Sequence, residues 1–246
     1  VTAGYADGFS LQVIGRVRSP FPEKFGIPRQ PGLVDVPASI EMLPPFDVPE
    51  MFEGLEEFSH LWLNFIFNAC QEQGWKKKVR PPRLGGNASK GVFATRSPFR
   101  PNHLGLSVVK LDRIEIADGY VKLYILGADL LDGTPIVDIK PYVSYTDSVS
   151  GACSGFAGEA PGTTLEVVFS PQADEVLKML PQGEALKGQI AALVSLDPRP
   201  AYQRGGGQAR TWGMRFSNLD IHWQVDGDQA LVTGVDVVQG ISINSV

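Results

Sequence analysis

Between Gln73 and Leu111 the chain carries nine basic residues (Lys76, Lys77, Lys78, Arg80, Arg83, Lys90, Arg96, Arg100 and Lys110) and no Asp or Glu. The 246-residue protein as a whole is at −5, so the remainder holds −14 against the +9 concentrated here. A cationic stripe on an otherwise acidic protein suits docking of polyanions. A solvated lysine face normally intersperses acids. This one interleaves Trp75, Pro81, Pro82, Gly85, Gly86, Phe93, Pro98, Phe99 and Pro101 instead. Cations serve phosphates and flat rings serve unstacked bases, so RNA or nucleotide contact is the chemistry expected of this stretch.

Four segments, one of them inside this stretch, are richer in Gly, Pro and polar residues than turns require. They are Arg18-Ser19-Pro20 with Pro28–Gly32, then Gly91–Gly105, Leu131–Tyr142 and Asp197–Tyr202. Pro fixes φ and Gly admits close backbone approach, so such loops hold a rigid surface against a ligand. No G-x-G-x-x-G opens a helix and no Walker loop is present, which argues against a Rossmann-type nucleotide site. His60, His103 and His222 stand far apart without Cys or carboxylates at ligand spacing, so no metal is expected, and His60 and His222 read as structural histidines. Cys70 and Cys153 are too few for a disulfide scaffold, and Cys70 reads as a small buried hydrophobe. No apolar run approaches the roughly 20 residues of a membrane span, and the first residues lack a basic-then-apolar leader pattern. A cytoplasmic protein with no membrane partner is the expectation.

The elements that must position these loops are short and strand-like up to about Tyr145. Leu11–Val17, His60–Phe67, Gly91–Ala94, Leu106–Ile116, Tyr120–Ala128 and Ile136–Pro141 read as strands. Val121, Leu123 and Ile125 alternate with polar neighbours, whereas Leu61–Phe67 is almost continuously apolar, as a strand covered on both faces would be. Asp118-Gly119 signals a hairpin. No crossover helices separate most of these strands, so the expected fold is mainly β, an N-terminal small antiparallel barrel rather than a doubly wound sheet. Residues 148–162 read as a linker. Beyond it come Leu165–Phe169, a helix entered through Ser170-Pro171 and running Ala173–Leu180, a second helix over Glu184–Leu196, and strands at Thr211–Phe216, Asp220–Val225 and Ala230–Val238. Residues 163–246 are therefore expected to form a smaller C-terminal α+β module with a small antiparallel sheet, next to a barrel over 9–147.

GVFATRSPFRPN at 91–102, with PRQPGLV before it and DGTPIVDIKPY after it, resembles the TsaA-like (TrmO-like) family of S-adenosylmethionine-dependent tRNA methyltransferases. The resemblance runs from about Phe9 to Asp147 and, through DPRPAY, into the C-terminal module of bacterial members. It implies a non-Rossmann β-barrel methyltransferase, S-adenosylmethionine as cofactor, a homodimer with its interface near the cofactor site, and the anticodon loop of tRNA as partner. The implied reaction methylates N6 of N6-threonylcarbamoyladenosine at position 37 of that loop.

By the same resemblance, the cofactor pocket comprises Arg29, Gln30, Pro31, Phe67, Asn68, Arg96, Leu106 and the turn Leu126, Gly127, Ala128 and Asp129. Arg96 is expected to pair with the cofactor carboxylate through its planar fork, or else only to close a loop. Asp129 would accept from amino or ribose hydroxyl groups. The proton on the acceptor nitrogen needs a destination. Asp138, Lys140 and Tyr142 alternate along one strand and so share a face, and any of them could take or relay it or bind the threonyl carboxylate. A structural ion pair between Asp138 and Lys140 is the competing reading. RNA contacts are expected from Lys76, Lys77, Lys78, Arg80, Arg83 and Arg100, and in the second module from Arg199 and Tyr202, with Arg204 and Arg210 alongside. Phe93, Phe99 and Tyr202 are candidate stacking platforms or else core residues. A non-catalytic RNA-binding protein that kept the barrel is the alternative function.

Overall fold

The computed structural model of the chain describes residues 8–117, 119–159, 165–200, 203 and 210–238. Its first half contains β1 (Gly15–Arg18), β2 (Pro37–Met42), β3 (His60–Ile66), a two-residue ribbon of β4 (Lys78–Val79) and β5 (Lys90–Gly91), then β6 (Leu104–Ala117), β7 (Tyr120–Leu126) and β8 (Pro135–Pro141). Six of these close into an antiparallel barrel in the order β1-β2-β7-β6-β3-β8. Closure pairs Gly15 on β1 with Ile136 on β8, which leaves the barrel without a free edge. Inward residues at every second position fill it: Val17, Ile40, Leu61, Leu63, Phe65, Val109, Val121, Leu123, Ile125 and Ile136 are all buried. Where Phe65 faces β6, only glycine fits, since a Cβ on Gly105 would lie 2.2 Å from the ring.

Several boundaries differ from the sequence expectations. Residues 11–14 precede β1 as irregular chain, and β2 has no counterpart among the strands read from the sequence. Pro37-Ala-Ser-Ile-Glu-Met shows no clean alternation, and its Ser39 is buried. β3 is not covered on both faces: Leu61, Leu63 and Phe65 point inward, while Trp62, Asn64 and Ile66 lie half-buried on the outside. Only Gly91 of the expected strand Gly91–Ala94 is extended, and Val92–Ala94 form a 3-10 turn. Asp118 lies outside the described residues, but Ala117 pairs with Tyr120 across a two-residue loop.

After one helical turn, α1 (Ser144–Asp147), the second half holds β9 (Glu166–Phe169), α2 (Pro171–Met179), α3 (Gly183–Ser195), β10 (Trp212–Phe216), β11 (Leu219–Asp226) and β12 (Gln229–Val237). Ser170 caps α2 by accepting from Ala173 N at 3.2 Å, with Pro171 just inside. The sheet runs β10-β11-β12-β9, and β9 joins it parallel to β12, so it is mixed rather than purely antiparallel. Helices on one face bury Leu177, Ile190, Leu193 and Val194 against Ile221, Trp223 and Val232.

The segment between β1 and β2 ties the two cores together. Phe21, Val34 and Val36 come from this arm, yet they belong to the C-terminal core. Phe21 meets Phe216 edge-on at 5.7 Å, and Phe25 stacks on Trp223 at 6.1 Å and Trp212 at 6.4 Å. Pro20 O accepts from Ser217 N at 2.7 Å, and Glu23 accepts from Arg215 N at 3.0 Å. At its barrel side, Ser19 Oγ donates to Leu130 O at 2.7 Å and Phe21 O accepts from Asp132 N at 2.9 Å.

Candidate cofactor pocket and nucleic-acid interface

The arm loop at Pro28–Gly32 and the turn that ends β7 are locked backbone to backbone: Gly32 N donates to Gly127 O at 2.9 Å, and Gly127 N to Val36 O at 3.2 Å. Gly127 has φ +77°, and a Cβ there would sit 3.2 Å from Gly32 Cα, so the approach depends on glycine at this position. The turn sets half-buried Leu126, buried Ala128 and half-buried Asp129 beside the loop. Asp129 accepts from Ser107 Oγ at 2.7 Å. Burial raises the Asp129 carboxyl above its ordinary value, and the Ser107 hydrogen bond and the positive charge of Arg96 offset this only in part. Across the loop, Arg96 Nη1 donates to Gln30 Oε1 at 2.7 Å, Gln30 Nε2 donates to Arg29 O at 2.6 Å, and Pro31 follows.

Leu106, next to Ser107 on β6, points outward and is half exposed. Phe67 and Asn68 follow the end of β3, on the same end of the barrel because Ile66 pairs with Leu104. Phe67 N donates to His103 O at 2.8 Å and its ring packs edge-on against Phe65 at 5.0 Å, while exposed Asn68 opens a 3-10 turn. A desolvated carboxylate, a guanidinium and an amide in one cluster are complementary to a zwitterion. The carboxylate can take a cation or hydroxyls, and the guanidinium fork can take a carboxylate. This donor set fits the polar groups of S-adenosylmethionine. Ser107 lies outside the sequence expectation, although strand alternation from outward Leu104 and Leu106 turns it inward.

Asp138, Lys140 and Tyr142 form a separate strip on the barrel's outer face. Leu106, Asn64 and Asp138 share one row across β6, β3 and β8. Two strand spacings therefore separate Leu106 from Asp138, about 10 Å. Asp138 and Lys140 make an ion pair. Tyr142 packs against Trp62 at 5.9 Å and His60 at 6.3 Å, and Trp62 Nε1 donates to Asp147 at 2.9 Å. Within one copy of the chain, the strip thus lies two strands across from Leu106.

The acid-free stretch is a lobe built on the β4–β5 ribbon. Lys77, Lys78 and Arg80 are exposed. Lys76 lies over the Phe99 ring at 4.1 Å, and its N donates to Phe99 O at 3.1 Å. Arg83 donates to Glu159 O. Arg100 is a clip: its Nη1 donates to Thr95 O at 2.6 Å and Val92 O at 3.3 Å. Arg199 makes a bidentate pair with buried Asp197 at 2.7 and 3.1 Å, and Arg199 O accepts from Arg29 Nη2 at 3.4 Å, so it contacts the Pro28–Gly32 loop rather than projecting freely. Arg210 stacks over Trp212 at 4.4 Å. Tyr202 and Arg204 lie outside the described residues. Among the described residues, no cluster of His, Cys, Asp or Glu could hold a metal and no helix is long and apolar enough to cross a membrane.

Comparison with known proteins places this geometry. The family model for the tRNA-methyltransferase O N-terminal domain matches residues 16–148, and that for the TrmO C-terminal domain matches 162–238. A tRNA (adenine(37)-N6)-methyltransferase of Escherichia coli K12 is 41% identical over 222 residues, 88% of this chain and 93% of the relative. A Pseudomonas aeruginosa relative named for S-adenosylmethionine-dependent methyl transfer is 46% identical over 236 residues, 94% of this chain and 98% of its own. A crystal structure of TrmO from Pseudomonas aeruginosa superposes with a TM-score of 0.74 at 38% identity, covering 94% of this chain and 99% of that one. The barrel, the C-terminal module and the loops between them thus belong to one lineage, and the chain is a member of the tRNA-methyltransferase O family.

Proposed function

We propose that this chain methylates N6 of adenosine 37 in the tRNA anticodon loop, using S-adenosylmethionine and taking the N6-threonylcarbamoyl form as acceptor. The observation that carries the reading is the cluster of Gln30, Arg96, Ser107 and Asp129, joined by the Gly32–Gly127 clip and continuous in sequence with an acid-free cationic lobe. Family membership and the names of the relatives support the same chemistry.

S-Adenosylmethionine supplies a methyl group on a sulfonium, a good leaving group, so the protein's main contribution is alignment. Arg96 binds the cofactor carboxylate, parting from Gln30 to do so, and Asp129 holds the amino or hydroxyl groups. Gln30, Pro31 and the backbone after Arg29 contact the adenine, with Leu126, Ala128, Leu106 and Phe67 excluding water. Asp138 takes the proton that leaves the acceptor nitrogen, while Lys140 orients it and Tyr142 stiffens the strip. Lys77, Lys78 and Arg80 contact phosphates.

The distance between strip and pocket favours a homodimer in which the outer face carrying exposed Leu104 and Leu106 meets a second copy and brings one copy's strip to the other's pocket. A cytoplasmic location follows from the substrate. The test is transfer of label from methyl-labelled S-adenosylmethionine to purified tRNA: label at adenosine 37 is expected, and binding of tRNA without transfer would turn the reading to a non-catalytic RNA-binding protein.

A further inference from the structure

Trp75 and Phe93 are two of the most exposed large apolar side chains of the basic lobe, at 55% and 77%, and they line one open cavity of about 400 Å³. Val92, Ala94 and Pro101 complete its apolar wall, and Lys77 stands on it. No Asp or Glu occurs anywhere from 74 to 110. The wall is held rigid from behind. Lys77 O accepts from Val92 N at 3.1 Å, Thr95 N and Thr95 Oγ1 both donate to Val92 O, and Arg100 bonds the carbonyls of Val92 and Thr95. Phe93 therefore sits on a turn fixed at both ends, which limits the ordering cost of binding.

Resting on the tRNA reading above, we propose that Trp75 and Phe93 form a clamp for one unstacked loop base, a neighbour of the base that is methylated. A purely apolar ligand would not need the cations, and an acidic segment would not need two exposed rings. A nucleotide uses both, its flat face on an aromatic ring and its phosphate on a cation. Phe99 does not share this role, because Lys76 covers its ring at 4.1 Å, whereas Arg100 stands 5.8 Å from the Phe93 ring and leaves Phe93 77% exposed. Position follows from chain length. Arg96 lies three residues after Phe93, a stretch of at most about 10 Å, so the clamped base sits close to the cofactor cluster.

The test uses threonylcarbamoylated tRNA and anticodon stem-loops carrying 2-aminopurine at one loop position at a time. With the wild-type protein, fluorescence at one position beside the target is quenched on binding. In Trp75→Ala/Phe93→Ala that quenching disappears, and KM for tRNA rises about 5- to 100-fold, the span of one lost base–aromatic stack. Affinity for S-adenosylmethionine and the urea unfolding midpoint stay the same, and Phe93→Tyr with Trp75→Phe restores tight binding. An unchanged KM with unchanged quenching overturns the clamp. A shift in oligomeric state without a change in tRNA binding also overturns it and gives the cavity to a second copy. Failure of the wild-type protein to engage tRNA at all would instead count against the reading on which the clamp rests.

Discussion

Asp129 is half-buried, accepts from Ser107 and lies within the field of Arg96, and burial prevails in setting its charge. Its carboxyl is raised in the fold, so the neutral acid is favoured there relative to the unfolded chain. That contribution is complete below the ordinary value of 3.8 and is lost as pH rises through the higher folded value. Asp129→Asn should therefore be more stable relative to wild type at neutral pH than below 3.8, a comparison that urea unfolding at several pH values makes directly. If the Asp129 carboxylate holds the cofactor as proposed, binding has the opposite dependence: affinity should fall as pH drops through the raised value, and Asp129→Asn should flatten the profile in a calorimetric titration. Arg96→Ala should weaken S-adenosylmethionine binding by about 1.5–3 kcal/mol, the range for a hydrogen bond to a charged group. Native affinity in that variant, with only tRNA binding impaired, would move Arg96 to the RNA. At this scale the residue types were legible in the motif strings, but their present partners were not. Nothing in one-dimensional spacing sets Gln30 against Arg96, 66 positions away, or Ser107 against Asp129.

The arm between β1 and β2 carries the Pro28–Gly32 loop, the proposed cofactor loop, yet is packed into the other module. Phe25 lies against two tryptophans of β10 and β11, so its removal should loosen the loop from a distance. Phe25→Ala is expected to destabilise the protein by the low end of about 3–5 kcal/mol, because the ring is only half-buried, and to weaken cofactor binding as well. Calorimetry well below the unfolding temperature checks this, and unchanged cofactor affinity would show that the arm is indifferent to its anchor. Most strands and both longer helices were legible, since Val121, Leu123 and Ile125 or Ser170-Pro171 are local signals. β2 was not, because its buried Ser39 breaks the alternation, and neither was the arm's destination. Phe21 and Phe25 look like ordinary loop aromatics until β10 and β11 are folded beside them.

At the scale of the whole molecule, the barrel fold was legible from closely spaced strands without crossover helices, whereas the separation of strip and pocket on one copy was not. If two copies complete each site, Arg96→Ala and Asp138→Asn should each be nearly inactive alone, and mixing them should restore methyl transfer through mixed dimers with one intact site. No recovery after subunit exchange, verified by light scattering, would place each strip with its own pocket. The central claim is the acceptor itself. A site that turns Lys140 from Asp138 to the threonyl carboxylate loses that contact when the modification is missing, and a site built for a polar group discriminates against a substrate lacking it. The most direct measurement gives the protein labelled S-adenosylmethionine with tRNA from cells that make the threonylcarbamoyl group or from cells that cannot, followed by nucleoside digestion. Label confined to the modified adenosine of the first pool is the predicted result; equal label in both pools would contradict it.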